Sequence, residues 1–311
     1  MIERDVLLSN HIPRVCTYAT FFSDEGLDIT LTQSRDIATQ LPAKIGDARI
    51  RLLGADKTTC IDTTINFDTE NHFIPKKNIK NLPQPGDSIT IIINATGFSQ
   101  VEGKTRIPFS PAVESITATK FTSDREYYRF TVTFPDQASS DDYYLVSSVY
   151  DLITYTNISN KYDTTYQSTR QPVPLTDPVF SFMPDYRTSV KEPFIISELK
   201  PRIFPDDAFA GLNYGFRIEV PVRDDPGVNS NEETYSSFYN FELYTISEDC
   251  FEFLKTTYIN KSIEGDIYAQ PLFVTSNMTN RAGFFGAISK PSTAIQKIDD
   301  NDVLGFGQYA K

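Results

Sequence analysis

The sequence predicts a mainly β protein: an N-terminal immunoglobulin- or transthyretin-like β-sandwich, then a larger β-rich domain with one C-terminal amphipathic helix. Three observations support this prediction. Short runs of strand-forming residues alternate with turn residues along most of the chain. Aromatic residues make up 13% of the sequence, with 23 Phe and 17 Tyr but no Trp. Only one stretch, near residues 247–261, has the apolar spacing of a convincing helix.

The first hundred residues contain about six short strand-like runs, which is the spacing of a small sandwich. The first two runs form a hairpin, because a Ser-Asp-Glu-Gly turn ending at Gly26 separates them. The third and fourth runs flank a turn near residues 54–57. The run at 89–94 is apolar enough to be buried on both faces. The predicted strands cover 14–22, 27–33, 46–52, 57–65 and 89–94.

A domain boundary is expected near residue 110, because Pro108 and Pro111 stiffen a short extended connector. The predicted domains are therefore 1–110 and 111–311. Strands of the second domain are expected at 113–121, 127–134, 143–155, 212–222 and 237–246. Between 156 and 206, seven prolines would confine any strand to a sheet edge. That stretch is either a proline-braced excursion over the sandwich or an insertion.

The C-terminal stretch should close the fold. Ser247 suits a helix N-cap, and Phe251, Leu254 and Tyr258 form one apolar stripe. An apolar run, PLFVTSN, starts at Pro271. The glycines of the AGFFGA segment at 282–287 indicate that it passes close to another backbone.

Composition excludes some functions. The net charge of -12, with a pI near 4.7, argues against a nucleic-acid partner, which would need clustered Lys and Arg. No run of 18 apolar residues is present to span a membrane. Cys16, Cys60 and Cys250 lie far apart and form neither a zinc motif nor a redox motif. A Cys16–Cys60 disulfide and three reduced buried thiols are both open alternatives.

No catalytic, cofactor-binding or metal-binding residue is predicted, and we expect no enzymatic activity. The chain has two histidines, His11 and His72, which we expect in surface or turn positions, and no G-x-S-x-G motif. The adjacent aspartates at 141–142, 206–207 and 224–225 are expected to be solvated. A glycosidase would need two carboxylates about 5 to 10 Å apart across a cleft. The acidic residues at 299–302 lack the glutamate that closes an EF-hand loop, so we expect a solvated tail there.

Ligand binding, if present, would depend on tyrosines. Eight of them crowd residues 127–166, and exposed aromatic rings stack on sugars or on partner proteins. The candidates are Tyr143, Tyr144 and Tyr155. Neighbouring strand residues point to opposite faces, so one ring of the Tyr143–Tyr144 pair should belong to the core.

The C-terminal motifs resemble those of the domain-of-unknown-function 4249 family, a group of Bacteroidetes cell-envelope lipoproteins. The similarity lies in a helix with the pattern F-x-F-L-K, a later P-L-x-V-x-S-N-M string and a closing G-x-F-G. In this sequence these motifs fall at 251–258, 271–278 and 283–286. The chain departs from the family in two ways: residues 266–270 replace a Gly-Asn-Pro-Phe-like turn, and the lipid-bearing cysteine is absent.

The resemblance implies a strand after Pro271, export to the outer membrane or cell surface, and a lipid anchor upstream of Met1 after removal of a signal peptide. It also implies frequent genetic neighbourhood with TonB-dependent outer-membrane transporters, so that a transporter is the leading candidate partner, and it implies no known reaction. We therefore expect a non-enzymatic binding or accessory subunit. The alternatives are a glycan-binding or hydrolytic protein that uses an inter-domain cleft, and a structural or adhesive surface subunit.

Overall fold

The computed structural model describes residues 12–34, 45–67, 71–137, 141–158, 161–172, 177–180, 202–222, 233–262 and 273–298. Strands dominate these residues, which confirms the predicted mainly β class. The chain forms two units. The first contains Met1–Pro108, Ser247–Phe253 and Phe273–Ile288, and the second contains Phe109–Ile246, Leu254–Leu272 and Ser289–Lys311. The predicted cut near 110 lies beside the first junction, whereas the return of two C-terminal segments to the first unit has no counterpart in the prediction.

The described residues of the first unit form eight strands in two layers. In chain order they are β1 (Val15–Phe22), β2 (Gly26–Gln33), β3 (Asp47–Leu53), β4 (Thr59–Asn66), β5 (Asn71–Pro75), β6 (Ser88–Ala95), β7 (Val101–Arg106) and β15 (Gly283–Ile288). One layer has the order β15-β1-β2-β5, and the other has the order β4-β3-β6-β7. A short 3-10 helix, Lys76–Asn78, follows β5.

The two layers of the first unit share one apolar core, which makes this unit a β-sandwich. Ala19 and Phe21 from β1 are fully buried, as are Ile50 and Leu52 from β3. These side chains alternate with exposed or half-exposed ones along β3, so the period of two in the sequence sets the inward face. Along β6, Ile89, Ile91, Ile93 and Ala95 are buried on one face, whereas on the other face only Ile92 is buried. The predicted burial on both faces is therefore wrong for most of this strand.

In the second unit, the part of the chain that the structure describes forms the other eight strands. They are β8 (Ser115–Thr122), β9 (Glu126–Pro135), β10 (Tyr143–Ile158), β11 (Lys161–Pro172), β12 (Arg202–Pro205), β13 (Asn213–Pro221), β14 (Glu233–Ile246) and β16 (Ser292–Ile298). One sheet has the order β13-β9-β8. In the other, β10 pairs with β14 on one side and with β11 and β12 on the other, and β16 pairs with β14. A 3-10 helix covers Pro178–Phe180.

Aromatic side chains fill the core of the second unit. Phe134 from β9 is fully buried, and its ring centroid lies 4.9 Å from that of Tyr144 and 6.1 Å from that of Phe216. The clean alternation of apolar residues along β9 predicted this inward face. The abundance of Phe and Tyr without Trp therefore reflects core packing in this unit.

The α-helix α1 (Glu248–Ser262) is the only α-helix among the described residues, and its predicted position is confirmed. The Ser247 hydroxyl accepts a hydrogen bond from the Cys250 backbone N–H at 3.3 Å, so Ser247 is the N-cap. The predicted stripe is buried, with Phe251 2% exposed and Tyr258 5% exposed. No described helix has the length and apolar character needed to cross a membrane.

Several elements differ from the expectation. The strands β5, β7 and β16 were not predicted. The strands β11 and β12 lie within the proline-rich stretch, and among the described strands each pairs with β10 alone, at the edge of the sheet. The strand that the family resemblance implied after Pro271 is absent from residues 273–277, where only the following Met278 forms an isolated bridge to Gly103. The AGFFGA segment, by contrast, forms β15 and pairs in parallel with β1, so its close approach to another backbone is confirmed.

Candidate functional site

A groove of about 400 Å³ runs along one edge of the first unit's sandwich, between β4 and β5. We call it the edge groove. It is lined by Thr59, Cys60, Ile61, Asp62, Thr63, Ile65, Phe73, Ile74, Pro75, Asn78 and Lys80. Both strands are the last of their layers, so the groove lies where the sandwich ends. Its volume is within the range of small-molecule and peptide sites.

The floor of the edge groove is apolar and its rim is mixed. Ile61 and Ile74 are nearly buried and belong to the sandwich core, and Ile65 packs against it. Phe73 stands at the rim with 47% of its surface exposed. Burial raises the pKa of the Cys60 thiol, so Cys60 is a protonated small apolar group in the floor and not a nucleophile.

Both strands that border the edge groove carry backbone groups that point away from their own sheets. Phe67 N–H donates to the Gly46 carbonyl, which fixes the antiparallel alternation of β4 with β3. The N–H and C=O groups of Asp62 and Thr64 therefore point away from β3. Likewise, Lys76 N–H donates to the Glu25 carbonyl. In the register that this bond sets, the backbone groups of Phe73 point away from β2.

Lys80 is the one cationic residue in the lining of the edge groove. The Asp62 carboxylate accepts two hydrogen bonds from Arg49, at 2.7 and 2.6 Å, and the Arg49 guanidinium holds the pKa of Asp62 below its usual value. The charge of Asp62 is thus balanced within the unit. Lys80 is exposed and forms no ion pair with any described residue. Among the lining residues Lys80 thus carries a charge that no described partner balances, whereas farther from the lining the charges of Asp56 and Asp87 help to raise the pKa of Cys60.

A second feature lies in the second unit, where Asp136, Asp142 and Asp206 bring carboxylate oxygens within 4.8 Å of one another. We call this the carboxylate cluster. Asp136 accepts hydrogen bonds from the Tyr144 hydroxyl and from Gly211 N–H. Asp206 accepts one from Asp142 N–H at 3.0 Å. Carboxylate oxygens so placed are ligands that Ca²⁺ or Mg²⁺ would accept. The bonds also tie the turn that follows β12 to β9 and β10.

The carboxylate cluster corrects the expected exposure of one aspartate and weighs against the glycosidase alternative. Asp206 was expected to be solvated but is 2% exposed, and this burial, together with the charges of Asp136 and Asp141, raises its pKa. The cluster joins residues that are 64 positions apart, between Asp142 and Asp206, so sequence reasoning could not find it. Its oxygens are closer than the carboxylate pairs of glycosidases, about 5 to 10 Å, and internal donors already use them.

The tyrosine candidates separate as strand alternation requires. Tyr144 is 3% exposed, and its hydroxyl bonds Asp136 within the aromatic core. Burial and this bond raise the pKa of Tyr144. Tyr143, next along β10, is half-exposed. Tyr155 is also in β10, but its side chain is outside the described part of the chain.

The remaining candidate residues form no site among the described residues. His72 lies in β5, not in a turn, and its ring packs edge-on against Phe67 with centroids 4.7 Å apart. All three cysteines are free thiols, so the alternative of three reduced cysteines is the one found. His11 and the aspartates at 224–225 and 299–302 are outside the described residues.

The fold and the edge groove define a two-unit β-rich protein whose first unit is a sandwich with an accessible edge. Comparison with protein families gives a match over residues 13–294 to the family described as Domain of unknown function (DUF4249), so the chain belongs to that family. The resemblance noted in the C-terminal motifs is thereby confirmed. A comparison with curated proteins returns no significant match.

Proposed function

We propose that this protein is a non-enzymatic binding or accessory subunit of the bacterial outer membrane or cell surface, held there by a lipid and partnered with a TonB-dependent transporter. The observation that carries the binding role is the edge groove. An apolar floor, an exposed aromatic rim residue at Phe73 and two sheet edges together form a surface that suits a protein partner.

The proposed role as a subunit without catalysis has further support from the described residues. The Cys60 thiol in the groove is buried, and the Cys250 thiol is buried with its pKa raised to about 12. The carboxylate cluster uses its oxygens to bind Tyr144 and backbone N–H groups. These groups are thus committed to packing and hydrogen bonding. Among the described residues, no observation of this kind favours the glycan-binding or hydrolytic alternative, whereas a sheet edge that can accept a strand also suits the structural or adhesive alternative.

An affinity isolation tests the proposed partnership. The protein is tagged at its chromosomal locus, the outer membranes of the source bacterium are solubilised in mild detergent, and the retained proteins are identified by mass spectrometry. We expect a TonB-dependent transporter at a level comparable with the tagged protein. The control is the same tag on an unrelated outer-membrane lipoprotein. Repeated recovery of the tagged protein without a transporter, or equal recovery with the control, contradicts the proposal.

The proposed location has its own test. The gene sequence upstream of Met1 should encode a signal peptide that ends in a lipobox cysteine, and radiolabelled palmitate should be incorporated into the mature protein. Replacing that cysteine by serine should abolish the label and release the protein from the membrane fraction. A wild-type protein that takes up no label, or a serine variant that stays in the membrane fraction, would contradict a lipid anchor at that cysteine.

A further inference from the structure

We propose that the edge groove binds an extended, acidic segment of a partner protein, which adds as a strand to the free edge of β4. The inference deepens the proposed binding role by naming what the groove recognises. Three features of the first unit support it: the contrast between its two edges, the outward-pointing backbone groups of β4, and the charge of Lys80.

The opposite edge of the same sandwich shows how this unit covers an edge from within its own chain. There, residues 277–279 lie along β7. Thr279 N–H donates to the Glu102 carbonyl, and Met278 bridges Gly103. The Asn277 amide donates to the carbonyls of both Lys104 and Phe285, and so joins β7 to β15. Along the β4 and β5 edge, the described residues that cover the strands are residues 78–81, and they reach only the start of β4. Lys80 N–H donates to the Cys60 carbonyl, and the Asn81 amide donates to the Thr59 carbonyl.

The part of β4 beyond that cover is suited to receive a strand. The backbone groups of Asp62 and Thr64 point outward, and β4 contains neither proline nor glycine. Natural sheets usually protect a long edge with a proline, a bulge or an inward-pointing charge. The pairing of β4 with β3 has a register irregularity, opposite Leu52 and Leu53, but it lies at the covered end of β4. Beyond it the inward side chains are Ile61, Thr63 and Ile65, none of which is charged. An edge left in this form is a template for β-strand addition.

The side chains select the kind of strand. A strand paired with β4 would direct every second side chain to the apolar floor at Ile61, Ile65 and Ile74, so those positions should be small and apolar. Phe73 would flank the added strand from the β5 side. Lys80 has no ion pair with described residues, and the one lining carboxylate, Asp62, is bound by Arg49. A carboxylate on the incoming segment would complement Lys80, whereas a basic segment would be repelled.

The probe for a direct test is a fluorescein-labelled nonapeptide that begins with two glutamates and then alternates valine with threonine. Three matched peptides serve as comparisons. One has lysines in place of the glutamates, one groups the valines and threonines so that alternation is lost, and one carries backbone N-methyl groups on one edge. We expect the first peptide to bind in a fluorescence-anisotropy titration with the full-length protein. Each comparison peptide should bind at least about tenfold more weakly than the first.

Variants locate the site. Thr64→Pro removes an N–H that points away from β3, so it should leave the sheet folded and abolish peptide binding. Lys80→Glu should weaken binding of the acidic peptide by about tenfold and strengthen binding of the lysine peptide. The controls are Lys104→Glu on β7 and Phe273→Ser, a 98% exposed aromatic outside the groove, which should both bind as the wild type does. Circular dichroism and melting temperature confirm that each variant is folded.

Hydrogen exchange supplies a readout that does not depend on mutation. Bound peptide should slow exchange of the amides of Asp62 and Thr64, which point away from β3 and have no acceptor among the described residues, and leave the amides of β7 unchanged. Absence of binding to the acidic alternating peptide overturns the proposal. So does binding that Thr64→Pro and Lys80→Glu leave unchanged, or protection confined to residues outside β4 and β5. Because the assay uses purified protein, its failure leaves the transporter partnership standing, and that partnership fails only in the affinity isolation.

Discussion

The carbonyl oxygen of Thr17 occupies the space that a side chain at Gly283 would need: a Cβ atom on Gly283 would lie 1.8 Å from it. Gly283 begins β15, has a φ of +92°, and is the register partner of Thr17 in the parallel pairing with β1. The neighbouring Ala282 carbonyl accepts a hydrogen bond from Thr17 N–H at 3.1 Å. A C-terminal strand thus joins the N-terminal sandwich through a contact that only glycine permits.

Replacing Gly283 by alanine should therefore destabilise the first unit strongly. The added Cβ meets backbone atoms, which cannot move aside as the end of a flexible side chain can. We expect a loss of at least about 3 kcal/mol in the free energy of unfolding, measured by urea denaturation.

The control for this prediction is Gly97→Ala. Gly97 has a similar φ of +85°, but nothing lies within 4 Å of its added Cβ. Only backbone strain remains there, so we expect a loss of about 1 kcal/mol. Equal losses for the two variants would mean that crowding against Thr17 contributes nothing.

Ser247 should be the residue on which the start of α1 most depends. Its buried hydroxyl accepts hydrogen bonds from two backbone groups, Cys250 N–H in the helix and Ala287 N–H in β15. Ser247→Ala leaves both donors buried without this acceptor, and we expect a loss of about 2 to 3 kcal/mol in the free energy of unfolding.

Two further substitutions serve as controls for the Ser247 prediction. Ser247→Thr keeps the hydroxyl and should restore most of the stability. Ser34→Ala removes a half-exposed hydroxyl that accepts a bond from Arg14 N–H, and should cost less, about 1 kcal/mol. A loss for Ser247→Ala no greater than that for Ser34→Ala would contradict the bridging role of Ser247.

The parts of the fold that the sequence predicted are those fixed by local pattern. The alternation along β9 and the cap at Ser247 each depend on neighbouring residues, and both are confirmed. The strand β7 was not predicted because only one of its inward residues, Val101, is clearly apolar. The other two, Gly103 and Thr105, differ little in hydrophobicity from residues typical of a surface loop.

The candidate site was less predictable, because it depends on which distant residues meet. The edge groove exists because β4 and β5, adjacent in sequence, end two different layers, and strand order cannot be read from alternation. The carboxylate cluster likewise depends on the pairing of β12 with β10, which brings Asp206 beside Asp142. The tyrosine candidates were selected on composition, and composition does not distinguish the buried Tyr144 from the half-exposed Tyr143.

Asp177 should anchor the 3-10 helix of the second unit. Its buried carboxylate accepts hydrogen bonds from the Tyr214 hydroxyl, from Val179 N–H and from Arg217 N–H, all between 2.8 and 3.0 Å. Asp177→Ala should lower the free energy of unfolding by about 3 kcal/mol, because three donors lose a charged acceptor.

The matched control for Asp177 is Asp124→Ala. Asp124 also accepts a bond from a tyrosine hydroxyl, that of Tyr127 at 2.9 Å, but on the exposed surface. We expect a loss of about 0.5 kcal/mol or less there. A small loss at both positions, measured by thermal denaturation, would show that Asp177 does not hold the segment.

Thiol labelling should distinguish the three cysteines. Cys60 and Cys250 are each 2% exposed, whereas Cys16 is half-buried. With Ellman's reagent at neutral pH, only Cys16 should react in the folded protein, and slowly, because burial raises its pKa. All three thiols should react in guanidinium without a reductant. Release of a single thiol after denaturation would instead indicate a disulfide.

The carboxylate cluster should make stability depend on pH through Asp206. Burial and neighbouring negative charges raise the pKa of Asp206 in the folded protein above its ordinary value of 3.8. The folded state therefore holds this proton more tightly than the unfolded state does. The resulting stabilisation is complete below pH 3.8 and is lost as the pH rises through the folded-state pKa.

Asp206→Asn removes that titration and keeps an oxygen that can accept the bond from Asp142 N–H. Relative to the wild type, the variant should gain stability as the pH is raised from about 3.5 to 7, by about 1 kcal/mol at neutral pH or about 2 to 4 °C in melting temperature. The measurement is thermal denaturation at both pH values with EDTA present, so that no divalent cation neutralises the cluster. Asp207→Asn, at the exposed neighbouring position, is the control and should show no such pH-dependent gain. If Asp206→Asn instead loses stability relative to the wild type as the pH rises, the ionised carboxylate is favourable in the folded state, and the argument from burial is wrong.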